Sequence, residues 1–421
     1  MKTTSKIFGT LLMALLALPA MAQNQRDLDN FRYRDQRGIN QFEAPKDTVS
    51  TFDGLHVRIG GASTIQFQDL DQDNSGAVEL NDLEGNFNLA TANLDLDVAL
   101  YDGVRMHLRT YLSSQHHNEA YVKGGYIQID KLNFISEGFA EGLMDHMRIK
   151  IGHMENNYGD AHFRRTDNAM AIYNPFVGNY LMDSFTTEVG AEVYYFGGPW
   201  LAMVGFTNGK LNQSTIDVDT DLSWLAKFGY DKQITEDFRF RLTGSLFASP
   251  QRQYGSRGSS QYLYAGDRAG TRYYNVMEGS FRAGRLNPNF GEELTSVMFN
   301  PFIKYRGLEL FGIIEFANGG DLDGLVGEGE NTDAQEWNHY AADLIYRFGT
   351  NDDIYVGGRY NYANNDDVSV NRFNLGAGWF LTKNVLLKAE YVNQQYNDYP
   401  TGDLFEDAEF NGLMVEATIS F

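Results

Sequence analysis

The chain has 421 residues, no cysteine and a formal net charge of −22, from 34 Lys and Arg against 56 Asp and Glu. The missing cysteine excludes disulfide scaffolds and thiol chemistry, and so acidic a balance argues against a nucleic-acid partner, whose phosphates need positive surface. Aromatic residues reach 14%, yet beyond the N-terminus no apolar run of about 18 residues exists to make a membrane helix.

Lys2 and Lys6 precede an apolar run from Ile7 to Leu18, and Ala20-Met21-Ala22 follows. This is the basic, apolar, small-x-small order of a secretory signal peptide over residues 1–22, with cleavage before Gln23. The run is too short to span a bilayer, and no cysteine follows it to carry a lipid. Residues 23–53 are charged and lack heptads. They read as a flexible periplasmic extension, with a short plug or a peptidoglycan contact as the alternative.

From residue 54 to 421 the pattern has a period of two. Leu94, Leu96, Val98 and Leu100 alternate with Asn93, Asp95, Asp97 and Ala99; Phe373, Leu375, Ala377 and Trp379 alternate with Arg372, Asn374, Gly376 and Gly378. Strands are predicted at 55–67, 87–100, 103–112, 119–130, 146–154, 186–196, 199–207, 221–231, 236–248, 296–306, 307–317, 336–348, 353–363, 369–381, 384–396 and 410–421. Gly124-Gly125 and Pro301 are the weak points of this set. Short turns such as Tyr101-Asp102 alternate with long connections at 68–86, 155–185, 249–295, 318–335 and 397–409; 131–145 is the long exception among the short set, with room for a helical turn. Sixteen strands, half-polar spans and this loop asymmetry predict an all-β fold, a transmembrane antiparallel up-and-down β-barrel with both termini on the periplasmic side. Trp200, Trp224, Trp337, Trp379, Tyr360, Tyr362 and Tyr391 lie near predicted strand ends, as interfacial aromatics do. A soluble propeller would show a repeat of 40–50 residues, and none is found.

The last strand, FNGLMVEATISF, puts Leu413, Val415, Ala417, Ile419 and Phe421 on one face, and is expected to close the barrel against the first strand. Placing apolar phases outward leaves Arg58, Arg105, His107, Arg109, Arg148, Lys150, Arg239, Arg241, Arg359 and Arg372 on the inner wall, with Lys227, Lys304, Arg306, Arg347 and Lys388. The inner acids are fewer: Asp95, Asp97, Glu188, Glu192, Glu309, Glu315, Asp343 and Glu390. Charges lining a narrow aqueous pore set ion preference through the local field, so the basic stripes are read as a guide for anions. The plainer reading is that these charges neutralise one another across strands.

The outer loops are acidic. Asp71, Asp73, Ser75, Glu79 and Asp82 occupy positions 1, 3, 5, 9 and 12 of a calcium-loop spacing with Gly76 at position 6, although position 12 is Asp and no flanking helices are evident. A solvated hairpin tip is the alternative. No other cofactor is implied. No HExxH or GxSxG motif occurs, so a barrel hydrolase is the weakest alternative; an adhesin or structural barrel acting through its loops is another.

The stretch MRIKIGHMENNYGDAHFRRTDNAMAIYNPF (147–176), followed by TTEVGAEVYYF (186–196), resembles Bacteroidetes-type outer-membrane porins of the phosphate-selective porin O/P group at Ile151-Gly152, Tyr158-Gly159 and Val189-Gly190. The proline usual before the aromatic-glycine pair is replaced by Asn157, and the Arg ladder and Lys cluster of phosphate channels have no residue-by-residue match. The resemblance implies a non-enzymatic porin for small hydrophilic solutes, phosphate or organic anions among them. It implies one loop folded into the pore, with Arg164 and Arg165 expected at the constriction. It also implies a homotrimer, contact with outer-membrane lipid and lipopolysaccharide, and an assembly machinery that reads the terminal phenylalanine.

Overall fold

The computed structural model describes residues 28–76, 78–113, 120–209, 222–249, 262–265, 272–278, 284–321 and 334–421. The expected signal peptide lies outside the described residues. Sixteen strands form one closed antiparallel barrel: β1 His56–Asp73, β2 Asn86–Tyr101, β3 Val104–Leu112, β4 Tyr121–Ile129, β5 Met147–Glu155, β6 Thr187–Gly197, β7 Trp200–Thr207, β8 Ser223–Gln233, β9 Phe238–Ser249, β10 Phe290–Tyr305, β11 Leu308–Asp321, β12 Ala334–Phe348, β13 Ile354–Asn364, β14 Ser369–Thr382, β15 Val385–Asn397 and β16 Glu409–Ser420. Each strand neighbours its sequence neighbours, and β16 pairs with β1 from Ala62↔Ser420 to Asp73↔Glu409. Phe421 completes the seam by exchanging backbone hydrogen bonds of 3.0 Å with Gly61, so no edge is left open. A one-turn helix, α1 (Glu141–Met144), sits in the long connection between β4 and β5.

The wall is inverted relative to a water-soluble fold. Leu94, Val204, Phe228, Leu344, Leu375 and Leu413 are each more than half exposed, whereas Arg109, Arg359, Arg372, Glu416 and Asp343 are buried. Strand periodicity sends alternate residues to opposite faces, so one phase builds an apolar belt and the other a polar interior, the pattern of a membrane barrel. Trp337 departs from the expected aromatic belt: its side chain is buried inside.

Two strands extend furthest beyond the pattern. β1 runs six residues further and β10 starts six residues earlier, because their ends keep pairing where the polar sequence no longer alternates. Pro301 is accommodated where β10 and β11 lose pairing between Phe299↔Ile314 and Phe302↔Phe311. Gly312 leaves room there for the ring, and the Asn300 side-chain amide donates to the Gly312 carbonyl (3.0 Å).

The extension of β1 takes in part of the calcium-loop spacing. Asp71 and Asp73 are ladder residues opposite Asn411 and Glu409, and the Ser75 hydroxyl donates to Asp407 (2.7 Å). Among the described residues no three His, Cys, Asp or Glu side chains group so as to hold a metal.

The motif glycines have a steric cause. Gly152 has φ of +135°, and a Cβ there would come within 2.4 Å of the Gly125 carbonyl oxygen on β4. Gly152→Ala is expected to cost about 1–3 kcal/mol, since both the backbone and its close neighbour must shift. Denaturant unfolding of the detergent-solubilised barrel checks it, with fraying confined to the β4–β5 pair.

Candidate functional site: the barrel interior

The connection between β5 and β6, residues 156–186, folds into the barrel and is buried throughout except for half-buried Ala161 and Asn179. It is clamped at two ends. At one, Asp160 accepts from Arg241 Nε and Nη2 (both 2.8 Å) and from the Thr243 hydroxyl (2.9 Å), with Lys227 Nζ at 2.7 Å. At the other, Arg359 forks onto Asp343 (2.6 and 2.9 Å), donates to the Gly178 carbonyl (3.0 Å) and lies 3.9 Å from the Tyr180 ring centroid. Lys388 donates to the carbonyls of Ala171 and Phe176. These cations therefore serve backbone carbonyls that have no ladder partner inside the barrel. Asn157, the departure from the porin pattern, is explained here: its N–H donates to Glu192 (3.0 Å), a bond that proline could not make.

Residues 28–50 are not the flexible extension expected from their composition. They form no strand, but run inside the barrel across the end where the short turns lie. Leu28, Asn30, Phe31, Arg32, Asp35, Asn40 and Phe42 are buried. Phe42 packs against Phe163, Phe302 and Phe311, with centroids 5.4–6.4 Å apart. Phe31 sits beneath Arg58 and Arg105 at 4.8 and 5.4 Å. Only a few large apolar side chains and many hydrogen-bonding groups are needed to line a polar interior, and such a sequence looks disordered on composition alone.

Between this strap, the inward loop and strands β3–β5 remains a cavity of about 100 Å³. Seven of its lining residues are Arg or Lys, namely Arg32, Arg34, Arg105, Arg109, Lys123, Arg148 and Lys150, and two are acidic, Glu43 and Glu155; His107, His162, Phe31, Tyr126 and Tyr194 complete much of the wall. Behind the cations stand wall carboxylates: Arg105 reaches Asp97 (2.9 Å), Arg109 forks onto Asp95 (2.6 Å) and Arg148 reaches Asp130 (2.9 Å). Cross-strand neutralisation and a cationic surface thus coexist, the acids sitting behind the cations. Lys150 Nζ lies 4.7 Å from the Tyr126 ring centroid.

The sequence-derived inner residues sort into two groups. Arg105, His107, Arg109, Arg148 and Lys150 line the cavity. Arg58, Arg239, Arg241, Arg359 and Arg372 do not; they hold the strap, the loop or the wall, as where Arg372 donates to Gln394 (2.6 Å) and to the Asn179 carbonyl (2.8 Å). Arg164 and Arg165 are buried on the inward loop but stand outside this cavity. Arg164 faces Asp343 at 3.6 Å, and Arg165 forks onto Asp183 at 2.8 and 2.9 Å. Arg306 is not in the lumen: it is exposed at a turn and paired with Asp237 (3.1 Å). Arg32, Arg34, Lys123, Glu43 and Glu155 were missed, the first two and Glu43 because the strap has no periodicity, and Lys123 because it adjoins the phase break at Gly124.

Burial alone would raise the Glu43 carboxyl, but Arg241 and Lys227 hold it down to about 2 from an ordinary value of 4.5, with neighbouring Asp160 opposing them. Asp160 is depressed by the same two cations. A depressed carboxylate stabilises the folded form above its ordinary pKa and loses that contribution as pH falls through the depressed one. The Tm in detergent is therefore expected to be flat from neutral pH down to about 5 and to drop between 4.5 and 2. Glu43→Gln should make that drop smaller, measured by circular dichroism.

No family model matches the chain, and no curated protein matches it in sequence. Solved structures do match. An anion-selective porin from Comamonas acidovorans aligns with a TM-score of 0.56 and 9% identity, over 87% of this chain and all of that one. The outer membrane channel DcaP of Acinetobacter baumannii aligns at 0.52 and 10% identity, over 89% and 99%. OmpT in its trimer form, an outer membrane protein of Vibrio cholerae, aligns at 0.50 and 13% identity, over 88% and 100%. The fold is a porin-type barrel.

Proposed function

We propose that this porin-type barrel is an outer-membrane channel, exported through a cleaved signal peptide, that passes small hydrophilic solutes passively and favours anions such as phosphate or small organic acids. The observation that carries the reading is the cavity lining, seven Arg and Lys to two Glu in a protein of net charge −22. Local charge, not net charge, governs which ion enters a narrow aqueous passage. The closed fold, the outward apolar belt and the structural likeness to an anion-selective porin support the same reading. A homotrimer is part of the proposal, in line with the trimer form of one structural neighbour.

Liposome swelling tests it. Vesicles holding the purified full chain should swell faster in a small organic acid salt such as potassium gluconate than protein-free vesicles do. They should also discriminate against an organic cation of similar size. Equal swelling with and without protein would refute the channel.

A further inference from the structure

We infer that residues 28–50 are a displaceable strap that gates the short-turn mouth of the channel and supplies part of its charge selectivity, an inference that rests on the channel reading above. The strap touches the rim at separated points around the mouth. Gln36 N–H donates to the Lys383 carbonyl (2.8 Å) in the turn between β14 and β15, and its side chain donates to the Asn351 carbonyl (3.1 Å) between β12 and β13. Asn40 donates to Glu309 at the start of β11 (2.6 Å), and Arg148 at the start of β5 donates to the Ala44 and Pro45 carbonyls (2.8 and 2.6 Å). Lys46 reaches Asp130 after β4 (3.1 Å), and the Ser420 hydroxyl at the end of β16 donates to the Arg34 carbonyl (2.5 Å). A segment fixed at β4, β5, β11 and β16 and at two turns between them lies across the opening, not along one wall.

Its attachments are those of a removable part. The strap adds no strand to the sheet, and its one regular element is the three-residue turn Gln36–Gly38. Most of its ties are side-chain hydrogen bonds and ion pairs, groups that water can take over when the segment leaves; the costliest to release are the Glu43 pairs with Arg241 and Lys227. Arg34 Nε and Gln41 Oε1 have no protein hydrogen-bond partner among the described residues, so these two groups do not hold the strap in place. The chain beyond it is built to swing. Thr51, Asp53 and Leu55 are exposed, and Gly54 has φ of +138° with open space around it.

The strap also contributes Arg32, Arg34 and Glu43 to the cavity, two of its seven cations and one of its two acids. Withdrawing it both widens the passage and alters its field.

The native chain has no cysteine, so an engineered pair is its only thiol couple. Arg34→Cys with Ser420→Cys places the two residues at the contact between the strap and the last strand. Single-channel recordings in planar bilayers compare the full chain, a variant lacking residues 28–50, and the double-cysteine variant oxidised and then reduced. The deletion should conduct at least about threefold more than the full chain, with a shifted reversal potential, since width and lining charge control ion flow. The oxidised pair should hold the channel at its lowest level, and reduction should restore openings. Equal conductance with and without the strap, or no change between oxidised and reduced forms, overturns the gate while leaving the channel intact. If the deletion does not insert, the oxidised-against-reduced comparison decides alone. Absence of conductance in every form overturns the channel and the gate together.

Discussion

Asp160→Ala is expected to lower the unfolding free energy by about 3–5 kcal/mol and to release one end of the inward loop. The cost follows from what the carboxylate serves. Asp160 is wholly buried, receives both nitrogens of Arg241's fork and the Thr243 hydroxyl, and stands 2.7 Å from Lys227 Nζ. Removing it leaves two buried cations sharing Glu43 and Asp231, and breaking one partner of a buried ionic cluster typically costs that much because a charge is left uncompensated. Asp160→Asn with Lys227→Met removes one charge of each sign, and should recover most of the loss. Denaturant unfolding measures both variants. A loss below about 1 kcal/mol for Asp160→Ala would mean that the cluster is hydrated and does not anchor the loop.

Arg34→Glu combined with Lys150→Gln is expected to cut the preference for anions over cations at least about tenfold at low salt. The two substitutions change the lining from seven cations and two acids to five and three. A unit charge about 8 Å from a permeating ion is worth about 0.5 kcal/mol even at the dielectric constant of water, and more in a narrow passage. Three units of change act with opposite sign on anion and cation, so their ratio moves twice. The effect should shrink in molar salt, where the Debye length falls to about 3 Å. Permeability ratios before and after the substitutions check it; an unchanged ratio would place the selective stretch of the route elsewhere.

Much of the barrel was legible because its signal is repeated. A period-two alternation returns sixteen times, and each predicted strand overlaps an observed one. The closing pair β1–β16 followed from the terminal alternation ending at Phe421. Which inner charges are consumed by partners was less visible, although some of it was available from hairpin arithmetic. The tight turn at Asp102-Gly103 sets Asp95 opposite Arg109 and Asp97 opposite His107, and the turn after Phe348 sets Asp343 opposite Arg359. Contacts between the wall and the inward loop could not be read in this way. Arg241 meets Asp160 across 81 positions of sequence, and Arg359 meets the Gly178 carbonyl across 181. The strap was hidden for a different reason. Inside a polar lumen a segment packs with arginine, asparagine and glutamate, so burial leaves no hydrophobic trace, and only Leu28, Phe31 and Phe42 mark it.

A cavity lined by seven cations and two acids in an acidic protein should conduct anions. The most direct measurement is the reversal potential of the purified full chain in a planar bilayer under a potassium chloride gradient. Its sign should be the one set by chloride, weakening as the salt is raised. A reversal potential set by potassium would contradict it.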